Sequence, residues 1–181
     1  MNNKKNKFLP FIIFLMILKF NGCATVVYKT IPLRNIAKAK GPYFVGTQNF
    51  QILDASRKMW FSGDIKGFRK LSVKMWYPAD DITSLKKAPY LNKHKLIGSA
   101  ISRLFGVPKA LMDRAGGVKC NSWINAAPAN GKFPLIIYSH GHQSIKIANT
   151  SQAEEMASNG YIVVAMDHSY DAALTILDED K

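Results

Sequence analysis

Cysteine is almost absent: Cys23 and Cys120 are the only two in 181 residues, so no disulfide framework is implied. Acidic side chains are scarce, 12 against 25 Lys and Arg, which leaves a net charge of +13. A basic surface suits nucleic acid, an anionic lipid surface or plain solubility. Lys and Arg are scattered here without a recognised helix, zinc or RNA-binding motif, so the reading includes no nucleic-acid partner. There is no glycine-rich phosphate loop and no other cofactor signature. Internal repeats and low-complexity tracts are missing too. With 48% hydrophobic and 20% charged residues, the composition is that of one globular domain rather than a disordered chain.

What is present is concentrated in FPLIIYSHGH, Phe133 to His142. Pro134 opens a strand, Leu135, Ile136, Ile137 and Tyr138 continue it as an apolar run, and His140-Gly141-His142 stands where the chain must leave the sheet. Ser151-Gln152-Ala153-Glu154 has the S-x-x-E spacing of a capping box, and Asn159-Gly160 supplies a helix stop. A second apolar strand, Tyr161 to Met166, runs into Asp167-His168. The order is strand, turn, helix, strand: a βαβ unit. Upstream, Phe50 to Asp54 and Leu71 to Tyr77 read as antiparallel strands joined through Ser62-Gly63-Asp64 and Gly67. In the second, Leu71, Val73, Met75 and Tyr77 share one face, Ser72, Lys74 and Trp76 the other, and Pro78 ends it.

Three segments resemble the platelet-activating factor acetylhydrolases: GPYFVGTQNF (Gly41 to Phe50), RKLSVKMWYPAD (Arg69 to Asp80), and FPLIIYSHGHQS with EEMASNGYIVVAMDHSYD, ending at Asp171. The resemblance implies an α/β-hydrolase fold, here its N-terminal half: a mixed sheet with an antiparallel start and then a parallel βαβ unit. It implies that the residue after Gly141, His142, donates its backbone N–H to an oxyanion hole, a contribution of roughly 2.7 to 4 kcal/mol to transition-state stabilisation. His140 and Gly141 then hold the turn, the His140 ring bonding loop backbone. The nucleophilic Ser of the family's G-x-S-x-G elbow, and the Asp and His of its triad, do not occur here; Ser62-Gly63 lacks the preceding glycine and the strand-to-helix context. The expectation is therefore the N-terminal half of a serine esterase acting on a phospholipid or other carboxylic ester, inactive alone, with a non-catalytic remnant or membrane-attached module as the alternative. A strand at Phe133 to Tyr138 that is normally central would stand near an unfinished edge, and marginal folding in isolation is expected.

His168 reads as a strand-end packing residue and Cys120 as a buried small one. A zinc site from His140, His142, Asp167 and His168 is set aside, because the two pairs lie far apart in the sequence and such ligand sets come as one contiguous run. No metal and no organic cofactor is expected.

The segment from Met1 to Gly22 reads as an export signal: Lys4, Lys5 and Lys7 precede an apolar run, Phe8 to Leu18, that is too short to span a bilayer comfortably. Removing the signal's four lysines takes the charge from +13 to +9. Cys23 then reads either as a lipidated N-terminus, as in a bacterial membrane-anchored lipoprotein, or as a small residue closing an ordinary signal of a periplasmic or secreted protein. The domains follow as 1–22 signal, 23–40 tether and 41–181 incomplete α/β-hydrolase domain. Between Lys86 and Arg114 lies an insertion in which Leu96, Ile97, Ala100, Ile101 and Leu104 follow helical spacing, ended by Gly106 and Pro108. Flanking Lys86, Lys87, Lys93, Lys95, Arg103, Lys109 and Arg114 suit contact with a lipid surface; packing on its own domain is the plainer reading.

Overall fold

The computed structural model describes residues 36–59, 67–83 and 85–177. The segment read as an export signal, Cys23, most of the stretch read as a tether, and Ser62-Gly63 lie outside the described residues. The elements are β1 (Phe44–Lys58), β2 (Phe68–Asp81), β3 (Lys87–Pro89), α1 (His94–Phe105), α2 (Lys109–Ala115), β4 (Lys119–Ile124), β5 (Ala127–Pro128), β6 (Leu135–Ser139), α3 (Thr150–Ser158) and β7 (Ile162–Asp167). They form one seven-stranded sheet in the order β3-β4-β1-β2-β7-β6, with β5 pairing β2. β1, β2 and β7 are successively antiparallel, and β6 and β7 are parallel across α3. This is the α/β class with an antiparallel start and a parallel βαβ unit.

The long β1–β2 hairpin is the spine. Gly46 lets the strands and their side chains close up: a Cβ there would stand 2.3 Å from the Tyr77 ring, whose hydroxyl donates to the Ala126 carbonyl at 2.8 Å. Strand β2 does not end at Pro78. It runs on to Asp81, with Pro78 opposite Val45. The Pro78 carbonyl accepts from Ala129 N–H at 2.9 Å, so the imide nitrogen faces that same side, beyond the last β7 pair at Trp76, and no β1 ladder bond is lost.

Nor does the alternation in β2 divide core from solvent. The Ser72, Lys74, Trp76 face is fully buried, because β2 is central and this face lies beneath α3 and the loop before it. Trp76 packs with Val45, Ala153, Ala157, Val163 and Ala165; burying a side chain of that size contributes on the order of 3 kcal/mol. Cys120 is buried, and burial pushes its thiol pKa up to about 12, which keeps it protonated and unreactive.

Helix α3 begins at Thr150 behind Asn149, not at a Ser151 cap, and no side chain caps it. Glu154 points inward. Its carboxylate accepts from Ser122 N (2.9 Å), Ser122 Oγ (2.6 Å), Asn121 N (3.0 Å) and Asn121 Nδ2 (3.2 Å), tying α3 to β4. The helix stops at Asn159, with Gly160 at φ 91°. In the insertion, β3 precedes the expected helix. Only Ile97 and Ile101 of the apolar set join a core, with Leu91 and Ile147, while Leu96 and Leu104 are exposed. Gly106, at φ 65°, caps α1, and Pro108 starts α2 rather than ending anything.

Candidate oxyanion turn

Parallel strands β6 and β7 deliver two loops to the same edge of the sheet, 140–149 and 168–177. Parallel sheets place ligands beyond the carboxyl ends of their strands. The two loops are laced together. Asp167, at the end of β7, accepts from Lys146 N at 2.7 Å and pairs with Lys146 Nζ at 3.3 Å; Lys146 also donates to Ser72. Burial raises the Asp167 carboxyl pKa, and the Lys146 ammonium and N–H oppose that rise. Such a pair is costly to break from one side, since the remaining charge is left desolvated.

His140 is buried, and its ring bonds backbone on both sides. One nitrogen, Nδ1, lies 2.8 Å from the Gly141 carbonyl, and the other, Nε2, lies 3.1 Å from the backbone nitrogen of His168. A carbonyl only accepts and an N–H only donates, so this network requires the neutral ring with its proton on Nδ1. The His168 ring sits 4.9 Å from that of His140, and its Nε2 is 2.7 Å from Ser139 Oγ.

The Gly141 to Ser144 segment is a β-turn closed by Ser144 N–H to Gly141 C=O at 3.0 Å, with Gln143 at φ 55° in its third position. In such a turn the second N–H, that of His142, plays no part. It reaches no acceptor among the described residues. The next N–H, of Gln143, donates to the Asp171 carbonyl at 3.0 Å, and Ala173 N–H donates to Ser144 C=O at 3.0 Å. The His142 ring is exposed and turns to Asp171, Nδ1 to Oδ1 2.6 Å; that bond lowers the Asp171 carboxyl pKa. Above Gly141 there is open space: a Cβ there would meet nothing within 4 Å. A cleft of about 390 Å³ opens beside the turn between Leu104, Phe105, Tyr170, Asp171 and Ala172.

The structure thus brings His140, Gly141, His142, Asp167 and His168 to one edge, while Cys23 lies outside the described residues. The four residues weighed for zinc do not converge: the His142 ring is taken up by Asp171 and the His140 ring by backbone, and no group of three or more His, Cys, Asp or Glu among the described residues is placed to hold a metal. Two contributors escape a reading of the sequence, Lys146 and Asp171. The only signal for them is the clustering of polar residues just after each strand end.

The family model for platelet-activating factor acetylhydrolase, isoform II, matches residues 29–181. A platelet-activating factor acetylhydrolase from Gallus gallus is 28% identical over 144 residues, covering 76% of this chain and 31% of the relative. One from Canis lupus familiaris is 27% identical over 152 residues, covering 80% and 31%. Among solved structures, a ferulic acid esterase from Streptomyces cinnamoneus superposes with TM-score 0.62 at 29% identity, over 77% of this chain and 37% of that one. The chain spans about a third of the length of the curated relatives it matches.

Proposed function

Because the chain belongs to the platelet-activating factor acetylhydrolase, isoform II, family, we propose that it supplies the oxyanion-binding part of an ester hydrolase site. The observation that carries this reading is the His142 N–H, held in a turn laced to the neighbouring loop yet bonded to nothing among the described residues. A carbonyl carbon attacked by a serine oxygen becomes tetrahedral, and its oxygen gains negative charge; a preplaced N–H is worth most at that moment. The substrate in this reading is a carboxylic ester with a short acyl chain on a phospholipid, its apolar part in the cleft against Leu104 and Phe105. No G-x-S-x-G occurs in the 181 residues, so the proposal takes the serine from outside them. Export and lipid anchoring at Cys23 belong to the same proposal, and radiolabelled fatty acid incorporated by the protein but not by its Cys23→Ser variant tests them.

The test of the site compares the chain, and the longest reading frame that contains it, on 2-acetyl phospholipid and on a chromogenic acetyl ester. Hydrolysis is expected only where a serine elbow is supplied. Within that active form, His142→Pro deletes the N–H, while proline's φ suits the second position of a β-turn; kcat is expected to fall by roughly 10²- to 10³-fold. Full activity in a folded His142→Pro protein rejects the oxyanion role, and a reading frame without any esterase activity favours a non-catalytic module.

A further inference from the structure

Asp171 stands out because one residue grips two consecutive members of the turn. Its backbone carbonyl takes the Gln143 N–H at 3.0 Å, and its carboxylate takes the His142 ring at 2.6 Å. The direction of the His142 N–H is fixed by the peptide plane joining Gly141 and His142. Its carbonyl end is held by the Ser144 N–H at 3.0 Å and by the His140 ring at 2.8 Å, so what remains to be fixed is the His142 end, where Gly141 carries no Cβ to limit rocking of the plane. Holding the ring on one side and the next N–H on the other removes that freedom. Neither contact is needed to bury a core: both side chains are largely exposed, at 76% and 48%. A charged hydrogen bond kept at the surface, beside an N–H without an acceptor among the described residues, is poorly accounted for by stability alone.

We infer that Asp171 is a positioning residue for the oxyanion turn, acting through the His142 ring and the Gln143 N–H to aim the His142 N–H. The inference rests on the hydrolase reading above and goes beyond it by adding a residue that acts through the turn rather than on the reacting ester. It also gives the site an acid limit. The groups that face the Asp171 carboxylate are His142, His140 and His168, and the bond to the His142 ring is the main cause that holds its pKa down; once the carboxylate protonates, its charged bond to that ring is lost and the turn loosens.

The test uses the active form, with Asp171→Ala, Asp171→Asn, His142→Ala and the double Asp171→Ala, His142→Ala variant. Asp171→Ala is expected to lower kcat by on the order of ten- to a hundredfold, with KM changed much less, because misdirection of a transition-state donor does not weaken ground-state binding. Asn, which keeps an acceptor for the ring N–H, is expected to restore most of kcat and to remove the part of the acid fall that lies below about pH 4. The double variant should be no worse than either single, since both act through one contact. Unchanged kcat in a folded Asp171→Ala protein overturns the inference. If His142→Pro also leaves kcat intact, the oxyanion reading itself has failed. Amide exchange on the substrate-free active form is independent of turnover: Asp171→Ala must speed exchange at Gln143 and shift the His142 amide resonance, and an unchanged spectrum equally overturns it.

Discussion

Gly141 separates two uses of glycine. Gly46 is required by a neighbour, since its missing Cβ is where the Tyr77 ring lies, whereas Gly141 has open space around it and no left-handed φ. Its smallness is not needed for folding, so it is needed, if at all, for whatever approaches the His142 N–H. Gly141→Ala is expected to leave Tm within a degree or two and to cut kcat/KM of the active form by roughly tenfold or more; a large drop in Tm would return Gly141 to a purely structural role. The Asp171 prediction carries a sign. Its folded carboxyl pKa lies below the ordinary 3.8, so the contribution of its bond to His142 is full above the unfolded value and is lost as pH falls through the lower folded one. An acid limb set by Asp171 therefore belongs below about pH 4, distinct from a limb near pH 6 set by the general-base histidine of the active form.

At the scale of elements, α3 shows what a sequence pattern does and does not specify. The helix and its stop are legible within about a residue, because apolar spacing and Asn159-Gly160 act locally. The role of Ser151 and Glu154 is not. The S-x-x-E spacing describes two residues on one helical turn, and whether the acid folds back to cap or reaches across to β4 depends on where a separate, upstream strand is placed. The two readings differ in outcome. Ser151→Ala is expected to change stability by under about 0.5 kcal/mol. Glu154→Ala strands the Ser122 and Asn121 donors in a buried space and is expected to cost at least about 2 to 3 kcal/mol; chemical denaturation of the pair decides. The same limit explains Pro78, which is a strand stop by local rule and is tolerated here because of the side on which its nitrogen faces. For the turn after β6, the place of His140-Gly141-His142 at the strand end is legible from the apolar run before it, but Lys146 and Asp171 act across loops and leave no periodic trace.

For the whole molecule, the most telling feature is strand β6 at the sheet edge. Among the described residues it pairs only with β7, and its Leu135 and Ile137 are 58% and 66% exposed. Its unbroken apolar run is the pattern of strands covered on both faces, but it stands near an unfinished edge, as expected, with Ile136 and Tyr138 turned to the core. An open apolar edge is a template for pairing with another chain. The chain is therefore expected to melt with low cooperativity and to associate with rising concentration, and Ile137→Lys is expected to raise its soluble monomer fraction. Light scattering across a dilution series measures this, and a wild-type chain that stays monomeric with a sharp melt would contradict it. No helix among the described residues is long and apolar enough to cross a membrane.

The lacing of the oxyanion turn has a kinetic side. The side-chain bonds that lace it, the Lys146 amide to Asp167, Ser139 to His168, His140 to the His168 amide, and His142 to Asp171, join residues only 21 to 29 positions apart. Loop closure over such a distance is less demanding than the longer-range links that Lys146 makes to Ser72 or Ser169 to Lys70, because the entropic cost grows with the length of chain enclosed. The turn is thus assembled from a low-contact-order unit, β6-α3-β7, whose formation need not wait for distant parts of the sheet. A nascent chain can have its Gly141 to Ser144 turn in place as soon as the loop following β7 has been synthesised.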